Sequence, residues 1–168
     1  MNFIQKAVLT VLPCAILSLP TGAMANDNVD NFLEKINTLQ NQTSSMADSL
    51  LSKAKTLIGT PYRLGGTTPS GFDCSGFMQY VFNNAGISLP RTSRDMATVG
   101  TKVGRDALQV GDMLFFAHSG KRISHVGMYV GEGKFIHSPS TGKTVEITNL
   151  DSKYWAGRFI TARRVLND

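Results

Sequence analysis

Few side chains in this sequence combine nucleophilic or basic chemistry with a position that would let them use it together. Cys74 lies in Gly71-Phe72-Asp73-Cys74-Ser75-Gly76-Phe77, where Asp73 has the form of a helix N-cap ahead of the apolar positions Phe77, Met78, Val81, Phe82 and Ala85. A thiol in the first turn of a helix meets unpaired backbone N–H groups and the positive end of the helix dipole. Both lower its pKa, and the same N–H groups can bind the oxyanion of a tetrahedral intermediate. The plainer alternative is a small apolar residue at a helix start. Against it, the packing run begins only at Phe77, and Gly71, Ser75 and Gly76 imply close approach of backbone or ligand.

A thiol nucleophile needs a base, and the histidines are His118, His125 and His137. In Ser124-His125-Val126-Gly127-Met128-Tyr129-Val130 the alternation puts Val126, Met128 and Val130 on one face of a strand and His125, Gly127 and Tyr129 on the other. Gly131-Glu132-Gly133 then reads as a hairpin turn that brings His137 within about a residue of direct opposition to His125. Nucleophile, base and orienter are the parts of a cysteine hydrolase. His118, in the turn Ala117-His118-Ser119-Gly120-Lys121-Arg122, reads as a solvated loop residue.

The elements that must hold these groups follow from periodicity. Residues 26–45 are polar, with a faint helical stripe at Phe32, Ile36 and Leu39, and read as a spacer or arm, partly helical at most. Met46 to Ile58 has apolar residues at helical spacing and Gly59 at the C-cap position, so a helix should open the domain there. The Cys74 helix comes next, ending near Gly86 and Pro90, and then a short helix from Ser93 to Val99. Beyond Gly104 the period becomes two, and Met113–Ala117, His125–Val130, Lys134–His137, Thr144–Thr148 and Phe159–Val165 read as strands of an antiparallel meander. Helices first and strands second make an α+β fold, with a domain over residues 46–168.

Composition bounds the function. With 42% hydrophobic and 17% charged residues, the chain suits one compact domain rather than a disordered segment. The net charge of +5 comes from basic residues that form no run, so nucleic acid is not an expected partner. Residues 1–25 carry Lys6, an apolar stretch from Ala7 to Leu19 broken by Pro13, and then Ala23-Met24-Ala25. That is the form of a secretory signal peptide, too short for a span of roughly 20 residues. Export to the periplasm or beyond is therefore expected. Lipoprotein anchoring through Cys14 is disfavoured, because Pro13 stands where a small residue is needed. Cleavage after Ala25 leaves Cys74 as a lone thiol in an oxidising compartment, either buried and inert or functional.

Beyond these separate signals, several segments together resemble the NlpC-type family of papain-like bacterial cell-wall cysteine peptidases. They are Gly59-Thr60-Pro61-Tyr62-Arg63-Leu64-Gly65-Gly66, Phe72-Asp73-Cys74-Ser75-Gly76-Phe77, Leu89-Pro90-Arg91-Thr92-Ser93, Gly111-Asp112-Met113-Leu114-Phe115-Phe116, Ser124 to Gly131, Phe135-Ile136-His137-Ser138 and Ala162-Arg163-Arg164-Val165. The resemblance implies a papain-like fold with helices packed on five or six antiparallel strands. It implies Cys74 as nucleophile, His125 as general base and His137 as its orienter. Tyr62, Asp73, Ser75 and Arg91 would then contact substrate, although Tyr62 could be a packing aromatic, Asp73 only a cap and Arg91 only a surface ion-pair partner. The implied activity is hydrolysis of peptidoglycan stem peptides at the bond joining D-glutamate through its γ-carboxyl to diaminopimelate or lysine, by a monomer without metal or cofactor. Two competitors are a wall amidase or acyl transferase on the same scaffold, and a non-catalytic wall-binding module.

Overall fold

The computed structural model describes residues 26–166. The leader expected over residues 1–25, Cys14 included, lies outside the described residues. Among the described residues no helix is long and apolar enough to cross a membrane. Contacts divide the chain into two units that meet in sequence at Ile36 and Asn37. The described part of the first unit is helical, with Val29, Phe32 and Leu33 exposed.

In chain order the elements are α1 (Asn26–Lys55), β1 (Thr67–Thr68), β2 (Gly71–Phe72), α2 (Cys74–Asn83), α3 (Ser93–Met96) and β3 (Thr101–Val103). After a 3-10 turn come β4 (Met113–Phe116), β5 (His125–Gly131), β6 (Lys134–His137), β7 (Glu146–Asn149), α4 (Lys153–Ala156) and β8 (Phe159–Arg164). Helical structure thus begins at Asn26, well before Met46. It stops at Lys55, where Leu57 and Ile58 donate back to Ala54 and Lys55 in a closing turn and Gly59 adopts φ +89°. Leu50, Ala54 and Leu57 are buried, whereas Ile58 is exposed.

The sheet has six strands in the order β3-β8-β4-β5-β6-β7, every neighbour antiparallel. β4 to β7 form the expected meander, and β8 returns to the free edge of β4. Both faces are covered. Phe77, Met78, Val81 and Phe82 of α2 pack with Leu50, Met96, Phe115, Val126 and Met128 on one face, while Leu114, Phe116, Phe135, Ala162 and Trp155 cluster on the other. All four residues of β4 are therefore buried instead of alternating, and each large side chain removed from water contributes about 1.5–3 kcal/mol. β3 and α4 gave no sequence signal, being three and four residues long.

Candidate active site

α2 starts where it does because of Asp73. The Asp73 carboxylate accepts from the Gly76 N–H at 2.7 Å, and Cys74 follows as the first helical residue. The chain before it is held from several directions. Gly65 N–H donates to Asp73 Oδ2 at 3.0 Å, the Arg91 guanidinium meets both Asp73 oxygens, and Arg91 Nη1 donates to Ser75 Oγ at 2.7 Å. Gly76 is required by close packing, since a Cβ there would lie 2.0 Å from the Gly66 carbonyl oxygen. The close approach expected around Cys74 is thus one of backbone to backbone. Paired with Arg91, the Asp73 carboxyl sits below the usual carboxylate range, although burial opposes this.

The thiol does not follow the sequence expectation. Burial pushes the Cys74 pKa up, the Asp73 charge adds to the rise, and backbone N–H groups of Val126, Ser75 and Cys74 itself only partly oppose it. Desolvation of a thiolate outweighs the helix start here. The Val126 contact also shows where the thiol and the sheet meet. Cys74 packs with the α2-side cluster, and its sulfur comes up to the opening of β5, one residue from His125.

His125 and His137 are both buried, with His125 Nε2 2.8 Å from His137 Nδ1. They are not directly opposed. Met128 pairs with Ile136, so His137 faces Gly127 and His125 lies two residues further along the same face. The turn closes Gly131 on Lys134, past the centre that direct opposition would need, and the bulge between Tyr129 and Gly131 then brings the offset from three residues to two. Gly127 makes the diagonal reach feasible: a Cβ there would lie 2.7 Å from the Phe135 ring and 3.1 Å from His137 Cβ. Burial, then the charges of His137 and His118, hold His125 well below the ordinary imidazole pKa. Burial and the Lys143 charge take His137 down to about 3. At neutral pH the resting site therefore holds a thiol and two neutral imidazoles.

A cleft of about 770 Å³ exposes Cys74, Tyr62, Asp73, Ser75 and Arg91 together, with His118 on its wall. Tyr62 is placed by backbone bonds on both sides: its N–H donates to the Lys143 carbonyl at 2.8 Å, and Arg63 N–H to the Phe72 carbonyl at 2.9 Å. Burial and the charges of Cys74 and Asp73 raise the Tyr62 pKa, so it remains a donor. His118 is exposed and its Nδ1 lies 3.1 Å from the Tyr154 hydroxyl. Sequence reasoning passed over Trp155, which stacks on His125 at 5.2 Å between ring centroids. Its being the one tryptophan of the chain was the available signal. The Ser138 hydroxyl donates to the Phe72 carbonyl at 2.8 Å, which ties the strand carrying His137 to the approach to Cys74.

A thiol at the start of a helix, set against a histidine pair on an antiparallel sheet, is the layout of a papain-like cysteine hydrolase. Residues 59–164 match the NlpC/P60 family. The chain is 36% identical over 170 residues to a gamma-D-glutamyl-L-lysine dipeptidyl-peptidase of Bacillus subtilis, covering 98% of this chain and 57% of that protein. It is 32% identical over 182 residues to the murein DD-endopeptidase MepS/murein LD-carboxypeptidase of Escherichia coli, covering 98% and 96%. A crystal structure of an NlpC/P60 family protein from Bacillus cereus superposes with a TM-score of 0.69 at 40% identity, over 71% of this chain and 40% of that one. The chain belongs to the NlpC/P60 family, and it is a hydrolase of the cysteine-peptidase class.

Proposed function

We propose that this protein is an exported peptidoglycan endopeptidase that cuts stem peptides at the γ-D-glutamyl bond to the diamino acid. The observation that carries the reading is the His125–His137 hydrogen bond, set behind a thiol that opens onto a cleft with Asp73, Ser75 and Arg91 on its wall. Cys74 is the nucleophile. Its proton passes to His125, using Nδ1 because Nε2 is engaged with His137. Sulfur adds to the scissile carbonyl, and the Cys74 N–H and the Tyr62 hydroxyl are the donors near the developing oxyanion. Collapse expels the amine of the diamino acid, which takes the proton from His125, and water activated by the same imidazole then releases the acyl group.

Substrate selection rests on Asp73, Ser75, Arg91 and Tyr62. A free amino end meeting Asp73 joins an ion pair that the carboxylate already makes with Arg91, so the preference for an unblocked stem peptide is about 10- to 100-fold, the worth of one charged hydrogen bond. Mass analysis of products from free tetrapeptide, its N-acetylated form and glycan-linked muropeptide tests all of this. Cleavage at the γ-D-glutamyl bond, lost in Cys74→Ala by a factor of about 10³ or more, is expected. Release of cross-links alone would assign a DD-bond instead, and lactoyl-amide products would assign an amidase. Equal cutting of the acetylated peptide would leave Asp73 as a helix cap.

A further inference from the structure

The histidine pair leaves one nitrogen unaccounted for. His137 is fully buried, its Nδ1 faces His125, and its Nε2 has no hydrogen-bond partner among the described residues. Tautomers decide whether the pair can work. For His125 to take a proton at Nδ1, its Nε2 must carry hydrogen and donate to His137 Nδ1, which then has to be the unprotonated nitrogen of that ring. His137, neutral at working pH, must therefore carry its hydrogen on the buried Nε2. In the opposite tautomer His137 donates to His125 Nε2, and His125 then presents an N–H rather than a lone pair to the thiol.

Something must make the first tautomer the preferred one, and the sheet supplies a candidate. Glu146 lies directly opposite His137 in the register of β6 with β7, so the two side chains share a face. Its Oε1 is 3.8 Å from His137 Nε2 and 4.0 Å from Lys143 Nζ. The ring contacts of His137 are with Phe135, Trp155 and His125, and the charge of Lys143 also reaches it. Lys143 is exposed, so its hold on the carboxylate is screened by water. A modest side-chain rotation brings Oε1 into hydrogen-bond range of Nε2. We propose that Glu146 is a positioning residue, whose carboxylate accepts the Nε2–H of His137 and thereby fixes the tautomer that leaves His125 able to deprotonate Cys74.

The proposal rests on the catalytic roles given above for Cys74 and the histidines, and its test includes measurements that need no substrate. Imidazole ¹⁵N shifts of the full chain report which nitrogen of His137 carries hydrogen, and the rate of Cys74 alkylation by iodoacetamide at neutral pH reports its activation. The parent is expected to hold His137 as the Nε2–H form. Glu146→Ala should move it toward Nδ1–H, slow alkylation, and lower kcat by about 10- to 100-fold with KM within about twofold, in the range typical of outer partners that orient a ligating histidine. Glu146→Gln keeps an acceptor oxygen and should recover at least about threefold of that loss, and it serves as the test if the alanine variant fails to fold. His137 found as Nδ1–H in the parent would overturn the proposal. So would an alanine variant that loses rate without changing tautomer, or one that changes neither. If the parent shows the Nε2–H form and Glu146→Ala shifts it while no stem peptide is cut, the positioning role stands and the substrate assignment falls.

Discussion

Two effects meet at the Cys74 sulfur with opposite signs. A helix start lowers a thiol pKa and burial raises it, and here burial wins, so that resting Cys74 is protonated and His125 neutral. Trp155 contributes to the histidine side, because its indole covers the His125 ring and keeps water from it. The pH dependence follows from these directions. Alkylation of free Cys74 should be slow but measurable at neutral pH and reach its plateau only above the ordinary thiol range, and the acid limb of kcat/KM should lie below pH 6.5, because His125 keeps its lone pair there. Trp155→Ala admits water, favours the imidazolium, and should move that limb upward toward about 6.5. An unshifted limb in a folded variant would show that the indole does not control the histidine.

At the scale of elements, the site is a meeting of a helix start, a hairpin and two crossing ties. The placement of Cys74 and the face of His125 were legible because their signals are written locally: Asp73 caps, Cys74 follows, and alternation assigns a face to His125. The two-residue offset of the histidines was not legible, since it depends on the turn closing at Gly131 and Lys134 and on a bulge next to Gly131 that no composition rule locates. Nor was the exact cap of α3, which is Thr92, its hydroxyl accepting from Asp95 N–H, rather than Ser93. Trp155 was missed because α4 places it only through tertiary packing. Glycines near the site separate into those that contact and those that do not, and this gives a test. Gly76→Ala puts a methyl group into the Gly66 carbonyl and should cost about 1–3 kcal/mol by overpacking, with activity falling at least about tenfold as the Asp73 loop shifts. Gly157→Ala meets nothing within 4 Å at an ordinary φ of −79°, and should leave both melting temperature and activity unchanged. Equal melting temperatures for the two variants would show that the loop yields freely.

For the whole molecule, the buried charges and the buried neutral bases respond to acid differently. Asp112 is fully buried and accepts from Arg164 Nε and Nη2, both at 2.7 Å, joining β8 to the start of β4. Asp73 is ionised against Arg91, with its carboxyl below the usual range, so its stabilising effect is present above the unfolded carboxyl pKa and is lost only as pH falls through the lower folded value. The histidines act earlier on acidification. In the folded chain His137 titrates at about 3 and His125 also far below 6.5, while both titrate near 6.5 once unfolded. Above pH 6.5 neither state binds these protons and stability is flat. Below it the unfolded chain takes them up and the folded chain does not, so stability falls by about 1.4 kcal/mol per pH unit for each histidine, until the folded groups titrate in turn. Urea unfolding followed from pH 7 to pH 5 should therefore lose about 2 kcal/mol from His137, with a further loss from His125. His137→Gln removes one titrating group and should make that slope shallower, whatever it does to the stability at pH 7. A slope unchanged by His137→Gln would mean that His137 is protonated in the folded chain, and the neutral histidine pair would have to be abandoned.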